Sequence, residues 1–254
     1  MTNTKGMTMP QIDDAELFGN ADDQRAYEDF CANQEAVEKF TLDKPALVCR
    51  WRMSNKKVPM LNRHIRALSE RLVQGEPLTH NMLSWAKQHV EWSLAEGDYT
   101  AHDGVLMLVI DVNGNAAMTV GEYEPLADTS AKALRARSAE ARSEADETGV
   151  APELLAAVNN GELAFVAPAD ECLCGTATLI EQLAQTKGIP VTRVDIPAQL
   201  KGALFLVSDE HGVVPATETD AAEADAATVA FFADGYEKLR ARRSQLQGGV
   251  GLLK

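Results

Sequence analysis

The stretch from Cys172 to Pro215 contains the residue pattern with the clearest chemical potential in this chain. A short apolar segment reaches Gly175, and threonines then open a segment of helical periodicity that Gly188 ends. A glycine–threonine entrance leaves the first N–H groups of a helix unpaired at the positive end of its dipole. Such an entrance can bind an anion, and phosphate is the commonest biological one. The alternative is a structural helix cap, provided by the hydroxyl of Thr176 or Thr178.

Length, composition and charge restrict the classes of partner. With 254 residues, 45% of them hydrophobic, the chain can form one large or two small domains with their own cores. Its net charge of −14 argues against nucleic acid and against anionic membrane surfaces, because both would repel it. A helix N-terminus or a local arginine cluster can still bind a small anion. The sequence predicts no signal peptide and no membrane span, so we expect a cytoplasmic protein with reduced thiols.

The cysteines and histidines do not predict a metal site. The four cysteines are Cys31, Cys49, Cys172 and Cys174. Their spacing matches no zinc pattern, and the five histidines are scattered without a His-Glu-x-x-His helix. Cys172 and Cys174 have no neighbouring Lys or His that would lower a thiol pKa, so we expect small buried hydrophobic residues. Ser208, Asp209 and His211 crowd one loop, which is too local for a nucleophilic triad.

Hydrophobic periodicity predicts a chain of mixed helices and strands. Strands are predicted at 46–53, 105–112, 115–122, 154–158, 162–166, 191–196 and 203–207. Helices are predicted at 23–40, 62–73, 79–97, 128–148, 176–187 and 222–245. Asn113-Gly114 lies between two β-rich runs and is a strong hairpin signal. Asn159-Asn160-Gly161 marks a second hairpin in the same way.

Three segments of the chain carry a resemblance to a known enzyme family. Arg52 through Leu68 is similar to a strand-turn-helix that ends in His-Leu-x-Arg-Leu. The Asn113-Gly114 hairpin followed by Pro125-Leu126 is similar to the close of a small N-terminal domain. Gly161 through Pro215 is similar to a block with a Gly-x-Leu strand, a Leu-Pro-Gly-Ile-Thr-Arg loop, a helix and a final Gly-Val-x-Pro. Their order and spacing resemble the class IV fold of pyridoxal-phosphate (PLP) enzymes, which includes branched-chain and D-amino-acid aminotransferases and aminodeoxychorismate lyase.

The resemblance implies a two-domain α+β (α/β) architecture with the class IV fold. An acidic N-terminal arm would cover residues 1–40, a small N-terminal domain 41–126 and a larger C-terminal domain 128–254. Members of the family are usually homodimers that bind a small-molecule substrate between the two domains. We therefore expect a homodimer.

The resemblance also implies a position for the cofactor phosphate. The matching backbone N–H groups belong to Gly175, Thr176 and Ala177, and Ser208 would supply a second contact. Asp209 follows Ser208 directly, and its carboxylate would repel a phosphate.

The same resemblance assigns a catalytic lysine and a substrate contact. Lys132 lies where the family has the lysine that forms a Schiff base with PLP and then moves the substrate proton. The alternative is a solvated lysine on a charged helix. Arg50 and Arg52 alternate on one strand face, near the family's contacts to a substrate carboxylate. They can equally be the outward cationic residues of an edge strand.

Two residues of the family pattern are missing. The phosphate-holding arginine should follow His64 by three residues, where this chain has Ala67. The glutamate that pairs with the pyridine nitrogen is absent from a shortened segment, in which Glu147 and Glu153 are the nearest acids and are expected at the surface. Two hypotheses therefore stay open. The first is a PLP-dependent aminotransferase or aminodeoxychorismate-lyase-like enzyme acting on an amino acid or related amine. The second is a non-catalytic relative that has lost PLP and binds a small anion or a partner protein.

Overall fold

A computed structural model describes residues 42–96, 102–195, 200–218 and 220–242 of the chain, all within one compact unit that begins at Leu42. The strands, numbered in chain order, are β1 (Pro45–Met53), β2 (Leu72–Val73), β3 (Glu76–Pro77), β4 (Gly104–Asp111), β5 (Ala116–Gly121), β6 (Leu154–Asn159), β7 (Glu162–Val166), β8 (Val191–Val194), β9 (Ala203–Ser208) and β10 (Gly212–Pro215). The helices are α1 (Leu61–Ser69), α2 (His80–Glu96), α3 (Ala131–Thr148), α4 (Gly175–Thr186) and α5 (Glu223–Arg242). The helix predicted at 23–40 lies outside the described residues.

The first sheet is antiparallel with the strand order β1-β4-β5. One of its faces packs with α1 and α2 around buried side chains such as Trp51, Met53 and Leu106. The predicted Asn-Gly hairpin between β4 and β5 is confirmed. Asp111 closes this turn, because one of its carboxylate oxygens accepts hydrogen bonds from the N–H groups of Asn113 and Asn115 at 2.8 and 2.9 Å.

The second sheet has the strand order β10-β9-β6-β7-β8. The β7–β8 pair is parallel, so the chain must cross over between these strands, and α4 makes that crossing. Helices α4 and α5 pack on one face around Phe165, Phe205 and Phe232, while α3 packs Leu134 against the other face. Because both faces are covered, β6 and β9 are almost entirely apolar and buried. The predicted mixed fold of helices and sheets is therefore confirmed, whereas the domain boundaries at 41–126 and 128–254 stay predictions.

One helix end differs from the sequence prediction. Helix α1 ends at Ser69 rather than near residue 73, because a tight turn with positive φ at Gln74 and Gly75 pairs β2 with β3. Trp85 and Trp92 lie exposed on α2, in contrast to the buried Trp51. None of the helices in the described residues combines the length with the apolar character that a membrane span requires.

Candidate functional site

A cleft of about 50 Å³ is bordered by β1, α1, the entrance to α4 and the loop after β9. Its basic and acidic lining residues are Arg50, His64, Arg71, Glu153, Asp209 and Glu210. A single buried water needs roughly 10–15 Å³ on a comparable measure. The cleft therefore has room for a few water-sized groups.

Asp209 occupies the helix entrance that the sequence marks as an anion site. One oxygen of its carboxylate accepts a hydrogen bond from the Thr176 N–H at 2.7 Å, and the other accepts one from the Gly175 N–H at 3.2 Å. The second oxygen also lies 3.1 Å from Nδ1 of His64. The unpaired amides at the start of α4 thus bind a carboxylate of the chain itself, which also complements the helix dipole.

Close packing explains how Asp209 and His64 meet at this entrance. His64 projects from α1 and stacks on the buried indole of Trp51 in β1, with 5.4 Å between ring centroids. A Cβ atom on Gly175 would lie 2.5 Å from the Nδ1 of His64, so the approach of α1 to α4 requires glycine. The backbone of Asp209 is also fixed in place, because its carbonyl accepts a hydrogen bond from the N–H of Arg52 at 2.9 Å.

The environment of Asp209 stabilises its charged form. Burial by itself would raise the pKa of this carboxyl group, but the contacts with His64 and the Thr176 N–H outweigh it and lower the pKa to about 2. Asp209 is therefore an anion at neutral pH, in a place where a phosphate would have to bind.

The residues of the predicted phosphate site lie together at this entrance, but their contact with a phosphate stays a prediction. The amides of Gly175 and Thr176 are already bonded to Asp209, and Ala177 is fully buried. Ser208 is buried beside them, but its hydroxyl accepts the N–H of His211 at 2.8 Å within its own loop. A phosphate at this entrance would displace or repel the Asp209 carboxylate. The sequence marks Asp209 as repulsive, but not as the group that fills the site.

The other predicted site residues lie in different surroundings. Lys132 is exposed on the first turn of α3 and is not among the residues that line the cleft. Arg50 lines the cleft but forms an ion pair with Glu144 at 2.6 Å. Arg52 is not among the residues that line the cleft. Its guanidinium stacks on the ring of Tyr123, with 3.2 Å between the guanidinium carbon and the ring centroid.

Glu147 and Glu153, the acids nearest to the missing partner of the pyridine nitrogen, lie in different environments. Glu147 is exposed on α3, as expected, but Glu153 is buried and lines the cleft, so the expectation of a surface carboxylate is wrong for Glu153. Arg137 donates to both oxygens of Glu153 at 2.7 and 3.0 Å. Glu153, Glu210 and His211 each have a potential metal-ligand atom within 4.8 Å of those of the other two. The Arg137 guanidinium, however, already pairs with the carboxylate of Glu153. Burial lowers the pKa of His211, which favours the neutral imidazole at this position.

Three cysteines surround the same cleft. Burial raises the pKa of the Cys49 thiol to about 12 and raises that of Cys174 well above its usual value. These two thiols stay protonated and behave as small apolar groups. Cys172 is exposed and donates to the carbonyl of Glu70 at 3.1 Å, so the prediction of a buried residue is wrong there.

Comparison with known proteins places the fold. No family model and no curated protein matches the chain. A fold IV transaminase from Curtobacterium pusillum is 14% identical over 82% of this chain and 90% of its own, with a TM-score of 0.51. A proposed branched-chain amino acid aminotransferase from Thermotoga maritima is 15% identical over 85% and 95%, with a TM-score of 0.52. A proposed 4-amino-4-deoxychorismate lyase from Legionella pneumophila is 10% identical over 80% and 97%, with a TM-score of 0.52.

These likenesses show that the chain has the fold of the class IV aminotransferases and aminodeoxychorismate lyases, as the resemblance implied. The residues of its cleft nevertheless do not fit PLP. Asp209 fills the entrance that would hold the phosphate, and Arg137 binds the buried carboxylate of Glu153. No lysine is among the described residues that line the cleft.

Proposed function

We propose that this chain is a non-catalytic protein with the class IV fold, which works without PLP and binds a small anion in its cleft. The loss of PLP is argued from the position of Asp209, whose carboxylate satisfies the amides of Gly175 and Thr176. Binding of a small anion elsewhere in the cleft stays a prediction. A resident carboxylate with a pKa of about 2 makes an added phosphate unnecessary for the helix entrance and unfavourable beside it. Assembly into a homodimer stays a prediction, as does an interaction with a partner protein.

Purified protein mixed with PLP is expected to form no saturable absorbance band of an internal imine. Reduction with borohydride should label surface lysines at comparable levels, because Lys132 is exposed and has no described role in the cleft. Spectrophotometric titration followed by peptide mass spectrometry measures both effects.

The Lys132→Ala variant serves as the matched control for this titration and should behave like the unmodified chain. A band that saturates near one equivalent, a label confined to Lys132 and the loss of both in the variant would contradict the proposal and favour the enzyme hypothesis.

A further inference from the structure

His211 and two glutamates bring three potential metal ligands together beside the cleft. Glu210 and His211 are neighbours in the turn between β9 and β10, and Glu153 directly precedes β6. The antiparallel pairing of β6 with β9, in which Leu154 lies opposite Val207, brings these two segments together. One ligand atom of each residue lies within 4.8 Å of those of the other two, and Nε2 of His211 is 3.8 Å from Oε1 of Glu153.

The imidazole of His211 is buried and has one ring nitrogen without a hydrogen-bond partner. Its side chain is only 5% exposed. Nδ1 lies 3.4 Å from the hydroxyl of Tyr123, whereas Nε2 faces the Glu153 carboxylate and makes no hydrogen bond to any described residue. Buried polar groups in folded proteins are nearly always satisfied by protein, water or a ligand. A cation between Nε2 and the carboxylates would satisfy all of these groups at once.

The carboxylate of Glu210 is the second group of this cluster without a direct partner. It is half-buried, and within the described part of the chain it forms no ion pair. Glu210 and Glu153 both line the cleft, so a cation can reach their carboxylates from there. The net charge of −14 on the chain also favours a cation at this position over an anion.

The pairing of Arg137 with Glu153 leaves room for a metal ion at the same carboxylate. Arg137 donates one hydrogen bond to each oxygen, at 2.7 and 3.0 Å. A carboxylate has about four lone pairs, so each oxygen keeps one for a second partner. Ligands of metal ions are commonly oriented by such additional hydrogen bonds. Tyr123 would orient His211 in the same way, because its hydroxyl can accept the Nδ1–H and leave the Nε2 lone pair free.

We propose that His211, Glu153 and Glu210 bind a zinc ion. Zinc takes imidazole nitrogen together with carboxylate oxygen, whereas magnesium and calcium prefer oxygen ligands alone. Ligand atoms around a tetrahedral zinc ion are about 3.3 Å apart, so the three atoms must approach one another by roughly 1 Å. Rotation of the Glu210 side chain in its turn allows this approach. Three protein ligands leave the fourth position of the ion open to water.

The test is isothermal titration calorimetry of the full-length protein, stripped of metal with a chelator, against zinc chloride. We expect one saturable site with a dissociation constant on the order of 1 μM. Magnesium chloride at the same concentrations should give no saturable binding. Cobalt(II) in place of zinc should give no thiolate charge-transfer band, because the proposed ligands are nitrogen and oxygen. Zinc that does not bind, or a thiolate band with cobalt, would overturn the proposal.

Two matched substitutions assign the site. Glu210→Gln removes one ligand charge from the turn and should weaken zinc binding at least about tenfold. Glu162→Gln removes an exposed carboxylate at the start of β7 and should leave the affinity unchanged. Equal affinity of the two variants would contradict the assignment.

The ring signals of His211 in NMR test the site without any substitution. They should shift on addition of one equivalent of zinc, and signals that do not move would overturn the proposal even if a variant failed to fold. This inference goes beyond the proposed function, because it concerns neither PLP nor the entrance to α4. Zinc binding and the PLP imine are measured separately, so either proposal can fail without the other.

Discussion

Replacing Asp209 with alanine is expected to lower the free energy of unfolding by about 3 kcal/mol at neutral pH. The substitution leaves the amides of Gly175 and Thr176 without an acceptor at the buried start of α4. It also removes the anion that lies beside His64 and complements the helix dipole. Chemical denaturation monitored by circular dichroism measures the loss.

Two further variants make this result specific. Asp209→Asn keeps an acceptor oxygen but no charge, so we expect about half of the loss. Asp234→Ala removes an exposed aspartate from α5 and should change stability by less than about 0.5 kcal/mol. If Asp209→Ala were as stable as the unmodified chain, the carboxylate would not be satisfying the helix entrance.

The contribution of Asp209 should also depend on pH in a defined direction. Its pKa falls from an ordinary value of 3.8 to about 2 in the folded protein, so the stabilisation is fully present above the ordinary value. It is lost as the pH falls through about 2, because the folded state then takes up the proton as well. The difference in unfolding free energy between the unmodified chain and Asp209→Ala should therefore shrink from pH 5 to pH 2, roughly, in parallel denaturation experiments. A difference that stays constant over that range would contradict the assigned pKa.

Replacing Gly175 with alanine is expected to destabilise the protein by about 2 kcal/mol, although alanine is the better helix former by about 1 kcal/mol. The added Cβ would lie 2.5 Å from Nδ1 and 3.2 Å from Cα of His64, so α1 and α4 must separate. The separation also disturbs the contact between His64 and Asp209. Denaturation experiments measure the stability, and the histidine ring signals in NMR report the shift of His64.

Gly121→Ala is the matched control for this substitution. Gly121 ends β5, and an added Cβ there would meet no atom within 4 Å. The control should therefore stay within about 0.5 kcal/mol of the unmodified chain. If Gly175→Ala were instead stabilising, helix propensity would outweigh the packing, and α1 would not approach α4 as closely as the structure has it.

Local chemistry in the sequence determined most of the elements of this fold. The hairpin at Asn113-Gly114, the helix entrance at Gly175 and the buried strand β9 all follow from interactions among residues a few positions apart. Turn residues, hydrophobic periodicity and glycine at a helix start act through such short distances along the chain. The resemblance in order and spacing was then sufficient to identify the class IV fold.

The tertiary structure alone decided what lies at the entrance of α4 and inside the cleft. Asp209 is 34 residues from the Gly175 amide that it binds, and Arg71 is 78 residues from its acceptor at Gly149. No pattern of neighbouring residues predicts either contact, because the partners are far apart in the sequence. They meet only after the two sheets and their helices have packed. An amide at a helix start binds whichever acceptor the fold brings near, whether a phosphate or a carboxylate of the same chain. The sequence therefore left an anion and a threonine cap as the alternatives at this entrance, and the packing of the loop after β9 against the start of α4 decided that the acceptor is Asp209.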